Sequence, residues 1–153
     1  MENELISIGR RLLRAYARQD YISVNAIAHD YLSAAEAHRE SADYGTAIHQ
    51  ANTLLGLVEL QRGEVERAEY YLLNSARTPG SPHIKIFGPN MLLAYRLLEA
   101  GKSNCVLRYL DECRSLWKLS FGALWRWRRQ IARGHRPNFG PNLSYLTDYK
   151  TFG

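Results

Sequence analysis

The chain has 153 residues and a formal net charge of +5, with 46% apolar and 23% charged residues. That length suits one domain with one core, and the apolar share can offset ordering entropy, which excludes a disordered chain. Apolar residues in residues 1–19 are interrupted by charge with no cleavage site after them, and no stretch approaches the roughly 18 apolar residues of a membrane span, so a cytoplasmic protein with no membrane partner is expected.

Helical periodicity dominates from the start. Leu5, Ile8, Leu12, Ala15 and Tyr16 recur at three- and four-residue steps, with Arg10, Arg14 and Arg18 on the opposite face. After a break at Gln19-Asp20, Val24, Ile27, Ala28, Tyr31, Leu32 and Ala35 define a second helix to about Arg39. Ser41 or Asp43 can cap a third, ended by Gly63, and a fourth runs from Glu64 to about Ala76. TPGSPHIKIFGP, with its prolines and glycines, predicts a loop. Further helices are expected at about 90–100, 103–118 and 121–133, each broken by glycine or polar residues. Residues 134–153, rich in Pro, Gly and aromatics, read as a tail that lies irregularly against the helices or is partly mobile. No strand-like alternation with hairpin chemistry occurs.

Pairs of helices around short turns call for a test of internal repetition. Residues 50–76 contain Leu55-Gly56, then Gly63 seven residues on, Ala68 five beyond that, and Leu72 and Ser75. This segment closely resembles a tetratricopeptide repeat. In that family the small residues at Gly56 and Ala68 let two helices approach, the glycine at Gly63 turns the chain, and Leu55, Tyr71 and Leu72 fill the seam. A degenerate copy begins 38 residues later, with Ala94, Gly101, Val106, Leu110 and Cys113 at equivalent positions. It departs from the pattern in Ala94 and Val106. A weaker copy lies upstream, around Gly9, Gln19-Asp20-Tyr21 and Tyr31. The spacings of about 44 and 38 residues exceed the usual 34, so the hairpins are irregular. Over residues 3–118 the resemblance implies an all-α fold in a single domain, 1–153. It is a short α-solenoid of about three hairpins (about 3–40, 43–76 and 90–118) with a C-terminal capping helix at 121–133 and an irregular tail at 134–153. The long loop and C-terminal segment are also similar to a group of small bacterial proteins of this architecture.

Charge is unevenly spread. Residues 1–113 carry 12 Lys/Arg against 14 Asp/Glu, whereas residues 114–147 carry Arg114, Lys118, Arg126, Arg128, Arg129, Arg133 and Arg136 and no acid. Such a bias points to an acidic partner surface or to nucleic acid. On a helical wheel Leu124, Trp127 and Ile131 share one face, and Arg126, Arg129 and Arg133 the other. Arg128 falls beside the apolar face, so it is expected to snorkel or to pair with a carboxylate. Trp125 lies at the edge, where it suits an interface anchor.

No catalytic or metal constellation is recognisable. His29, His38, His49, His83 and His135 lack metal-ligand spacing, and neither a nucleophile elbow nor a phosphate-binding glycine loop occurs. Cys105 and Cys113, eight residues apart on one helix, are too far apart along it for a disulfide. A non-enzyme without cofactor or metal is therefore expected.

In the repeat family the first helices of the hairpins line a concave binding surface. Carried over by position, that surface would present Gln50, Asn52, Thr53, Leu57, Gln61, Met91, Tyr95, Leu98 and Glu99. Asn52 and Asn90, in equivalent places, either grip a partner's backbone or cap their own helices. The capping reading is the better one for Asn90, which follows Pro89, and Asn52 is open between the two. FGPN occurs twice, at Phe87–Asn90 and Phe139–Asn142, and reads as a duplicated helix-entry turn rather than duplicated loop recognition. The expected function is a protein-interaction module (adaptor, chaperone-like or toxin-neutralising immunity protein) that takes an acidic surface or peptide segment. The alternative is nucleic-acid binding through Trp125, Arg126, Arg129 and Arg133.

Overall fold

The computed structural model describes residues 3–151, and within them the chain is all helical, with no strand. The helices are α1 (Glu4–Ala17), α2 (Tyr21–Ala37), α3 (Tyr44–Gln61), α4 (Val65–Ala76), α5 (Pro82–Phe87), α6 (Leu92–Glu99), α7 (Ser103–Cys113) and α8 (Ala123–Ala132). Phe152 and Gly153, the end of the expected tail, lie outside the described residues, as do residues 1–2.

Local chemistry sets the first boundaries. The Asn3 side chain accepts the Leu5 N–H at 2.9 Å and starts α1. Gln19, at φ 58, ends it, and the Asp20 carboxylate accepts the Ser23 N–H at 3.2 Å to start α2. Connections this short make α1, α2, α3 and α4 pack in succession. α3 also touches α1 and α6, so it is the buried spine of the fold. Leu55 and Leu72 are buried in the α3–α4 seam. Gly56 lies there too: a Cβ on it would stand 3.4 Å from the Ala68 carbonyl oxygen and 2.3 Å from Leu93 Cδ2 of α6. At the open end of that seam buried Glu59 holds Arg67 at 3.0 Å and Arg62 at 3.4 Å.

Three expected boundaries are corrected. The segment read as a loop contains α5, because the Ser81 hydroxyl accepts the Ile84 N–H at 3.2 Å and Pro82 occupies the first turn. Helix α7 stops at Cys113 rather than Lys118. The Leu116 and Trp117 amides both turn back to the Cys113 carbonyl, and Trp117 swings over Gly88 and donates its indole N–H to the Ile86 carbonyl at 3.2 Å. Gly88, at φ 86, leaves no room for a Cβ, which would stand 2.6 Å from the Trp117 ring. Helix α8 begins at Ala123 because Phe121 (φ 51) and Gly122 (φ 84) are both left-handed.

The tail packs against the helices. Phe139 and Leu146 are buried, and Phe139 meets Trp127 edge-on at 5.0 Å, while Trp117 lies 5.7 Å from the same ring. A 3₁₀ turn at Gly140–Leu143 then brings the chain against α6.

Candidate functional site

The inner face of α3 and the entry to α6 carry an unusual number of buried polar side chains. Burying a polar group without a partner costs about 1–3 kcal/mol, so each must be satisfied, and for Gln50 and Asn90 the tail supplies partners. Gln50 accepts the Tyr31 hydroxyl at 2.9 Å and donates its amide to the Leu146 carbonyl at 2.8 Å. Asn90 accepts the Leu92 N–H at 2.9 Å, which caps the start of α6, and donates to the Leu143 and Tyr145 carbonyls and to the Thr147 hydroxyl. Asn142 answers from the other side, donating to the Phe87 and Pro89 carbonyls at 3.0 and 2.9 Å and accepting the Met91 N–H at 2.8 Å. Asn142 thus grips the backbone of the first FGPN, and Asn90 grips the backbone that follows the second. Asn90 is both cap and grip, and its partner is the chain itself.

Behind them His49 is fully buried. Its ring spans α4 and α6: Nδ1 lies 2.9 Å from the Ser75 carbonyl, and Nε2 accepts the Asn90 N–H at 2.9 Å. Since Ser75 offers only an acceptor, the geometry assigns the proton to Nδ1. Burial pushes the imidazole down to about 4 from its ordinary 6.5. Tyr109 donates to the Asn90 carbonyl at 2.8 Å, and burial raises its phenol well above the usual range.

The nine residues expected on a concave face therefore do not share one open surface. Gln50, Asn52, Thr53, Leu57 and Met91 are buried, Tyr95 and Leu98 are half-buried, and Gln61 and Glu99 are exposed. Asn52 donates to the Ile48 carbonyl of its own helix at 2.8 Å, as Thr53 does to His49. The tail's hydrogen bonds to Gln50 and Asn90 occupy the middle of this face.

A groove of about 690 Å³ remains at one end. Leu57, Leu60 and Gln61 come from the end of α3, Leu92 and Arg96 from α6, Tyr16, Gln19 and Tyr21 from the α1–α2 turn, and Leu143, Ser144 and Thr147 to Lys150 from the tail. Tyr16 and Tyr21 stand 6.5 Å apart, and burial raises the Tyr16 phenol, the nearby Tyr21 adding to this and Arg96 opposing it. Its walls mix leucines and tyrosine rings with about as much polar surface, from Gln19, Gln61, Arg96, Asp148 and Lys150 among others.

The other candidate surface is the basic one. Arg126, Arg129 and Arg133 are exposed along α8, and Trp125 is 62% exposed. Arg129 places its guanidinium 5.2 Å from the centre of the Trp125 ring, a cation–π contact. Arg128 forms a two-pronged pair with Asp111 of α7, at 2.7 and 3.2 Å. The pair lowers the Asp111 carboxyl below its usual range, hydrogen bonding to Arg128 being the main cause.

No protein-family model, curated protein or solved structure matches this chain.

Among the described residues no helix is long and apolar enough to cross a membrane, and no group of three or more His, Cys, Asp or Glu side chains could hold a metal ion. Both cysteines are free and buried, and burial pushes the Cys105 thiol up to about 12, with Glu69 adding to it. Sequence reasoning missed Leu60, Leu92 and Arg96 as groove residues and the whole contribution of the tail. The one signal for the latter was the second FGPN, with Asn142 at the place of Asn90.

Proposed function

We propose that the chain is a non-catalytic protein-interaction module of the tetratricopeptide-repeat-like type, a short stack of irregular hairpins, and that it binds a peptide segment of a partner in the groove beside α6. The carrying observation is that the tail occupies the middle of the inner face yet leaves this end lined by tyrosine rings, leucines, the cations Arg96 and Lys150 and one acid, Asp148. Tyr16, Tyr21, Leu60 and Leu92 suit an apolar side chain, and the exposed Arg96 beside Tyr16, held at 3.5 Å by a Glu99 that also pairs with Arg136, can exchange that contact for a partner's carboxylate, so an acidic segment with an apolar anchor is the fitting partner. An adaptor, a chaperone or an immunity protein could each use such a groove. Nucleic-acid binding has less support, because the Arg129 guanidinium stands over the Trp125 ring that would stack on a base.

Selection from a random peptide library displayed against the full chain tests this reading. Acidic peptides with an apolar residue should be enriched, and Arg96→Glu should weaken each by about tenfold or more, the loss of one charge-assisted contact and its replacement by repulsion. Failure to enrich any sequence, or binding indifferent to both Arg96→Glu and Tyr21→Ala, would contradict it.

A further inference from the structure

The turn between α7 and α8 presents a feature that the fold itself does not need. Phe121 is 87% exposed and sits at φ 51, a conformation that a bulky residue adopts only at a cost of about 1 kcal/mol or more. Asparagine or glycine would hold the same turn with less strain and expose no ring to water. Leu119, two residues before, is 51% exposed, and Trp125, on the first turn of α8, is 62% exposed. Three of the eight large apolar side chains exposed among the described residues therefore fall within residues 119–125, which makes a local cluster rather than background scatter.

Cations surround this cluster. Arg114, Lys118 and Trp125 line one cleft between α7 and α8, Arg126 reaches back to the Phe121 carbonyl at 3.4 Å, and Arg129 and Arg133 continue along the exposed side of α8. Asp111, the acid in that cleft, is already neutralised by Arg128. None of Arg114, Lys118, Arg126, Arg129 and Arg133 has a described carboxylate within ion-pair distance.

We infer, against the expectation of no membrane partner, that this turn and the exposed side of α8 dock the protein onto the surface of an anionic membrane, which needs no spanning helix. Phe121 and Leu119 would enter the interface, Trp125 would sit at headgroup level, and the surrounding cations would meet lipid phosphates and carboxylates. The shape favours this occupant. A ring exposed to 87% protrudes, so a protein partner would need a matching pocket, whereas a fluid interface takes a protruding apolar tip as it is. The cations are spread over the α7–α8 connection and two turns along α8 instead of converging on one anion, which suits a diffuse negative field. This surface is separate from the peptide groove, and neither inference needs the other.

Co-sedimentation of the full chain with vesicles is the test, using phosphatidylcholine alone and phosphatidylcholine mixed with phosphatidylserine. The protein should bind the mixed vesicles at low salt, bind the neutral ones far more weakly, and come off as salt screens the attraction. Tryptophan emission should shift to the blue on binding, and the shift belongs to Trp125, since Trp117 and Trp127 are already buried. Each cation removed from the stripe should lower partitioning about fivefold. Phe121→Asn should lower it about tenfold while leaving thermal stability unchanged or raised, a combination that a folding defect cannot mimic. It should also leave peptide selection at the groove untouched. Absence of binding to mixed vesicles at low salt would overturn the inference. So would binding that survives Phe121→Asn and Arg126/Arg129/Arg133→Glu together, or tight binding to a generic oligonucleotide or an acidic protein with none to vesicles.

Discussion

His49 shows how one buried side chain couples stability to pH. Its Nε2 can accept the Asn90 N–H only while the ring is neutral, and burial keeps it neutral down to about pH 4. In the unfolded chain the same ring takes a proton near its ordinary 6.5. Its folded value is the lower one, so its contribution is whole above about pH 6.5 and is lost as pH falls towards 4. The full loss is on the order of 3 kcal/mol. Urea denaturation at pH 7 and pH 4.5 should show this fall. His49→Gln, whose amide can offer the same donor and acceptor, should flatten it, and an unchanged slope in that variant would assign the pH dependence to other groups. The His49 environment was not legible locally: a histidine on a helix reads the same whether it is exposed or buried. Arg128 was legible, because its wheel position beside Leu124 leaves it only a pairing or a snorkelled course, and the pairing with Asp111 is what occurs.

At the scale of elements, two glycines of α3 make opposite demands. A Cβ on Gly45 would stand 1.8 Å from the Gly80 carbonyl oxygen, and backbone on both sides leaves nothing free to move. Gly45→Ala should therefore destabilise by about 3 kcal/mol. On Gly56 the worst contact is Leu93 Cδ2, the far end of a flexible side chain, and alanine's helix preference returns up to about 1 kcal/mol. Gly56→Ala should cost less than about 1.5 kcal/mol, and thermal melts of the two variants check the order. The repeat resemblance directs attention to Gly56, whereas the sharper requirement lies at Gly45, where α3 meets the segment before α5. Helices with long apolar stripes and capping residues were readable because 3.6-residue periodicity and caps are local signals. Helix α5 was not, since six residues between glycines carry no stripe. The early end of α7 was not either, because Trp117 leaves the helix for a contact with Ile86, 31 residues away in sequence.

For the whole molecule, the decisive contacts join the tail to residues more than 50 positions earlier. Asn90 reaches Leu143, Tyr145 and Thr147, Gln50 reaches Leu146, and Asn142 reaches Phe87 and Pro89. Apart from the repeated FGPN, no local pattern announces such pairings, and an expected concave face assigned by repeat position took no account of a segment lying over it. With the tail in place the protein has two separate candidate surfaces, the groove beside α6 and the basic, apolar turn before α8. Both depend on the tail being part of the core: the groove because the tail forms one wall, and α8 because Phe139 packs under Trp127. Hydrogen exchange of the native protein, read peptide by peptide over residues 139–148, tests this most directly. Amides there that bond within the tail, such as those of Tyr145 and Thr147, together with the Met91 amide that bonds to Asn142, should exchange as slowly as those of α3. In Asn90→Ala the tail's protection should fall by at least about tenfold while that of α2 falls less. Exchange of residues 139–148 at the rate of a free chain, with α3 still protected, would contradict the closed inner face and both surfaces built on it.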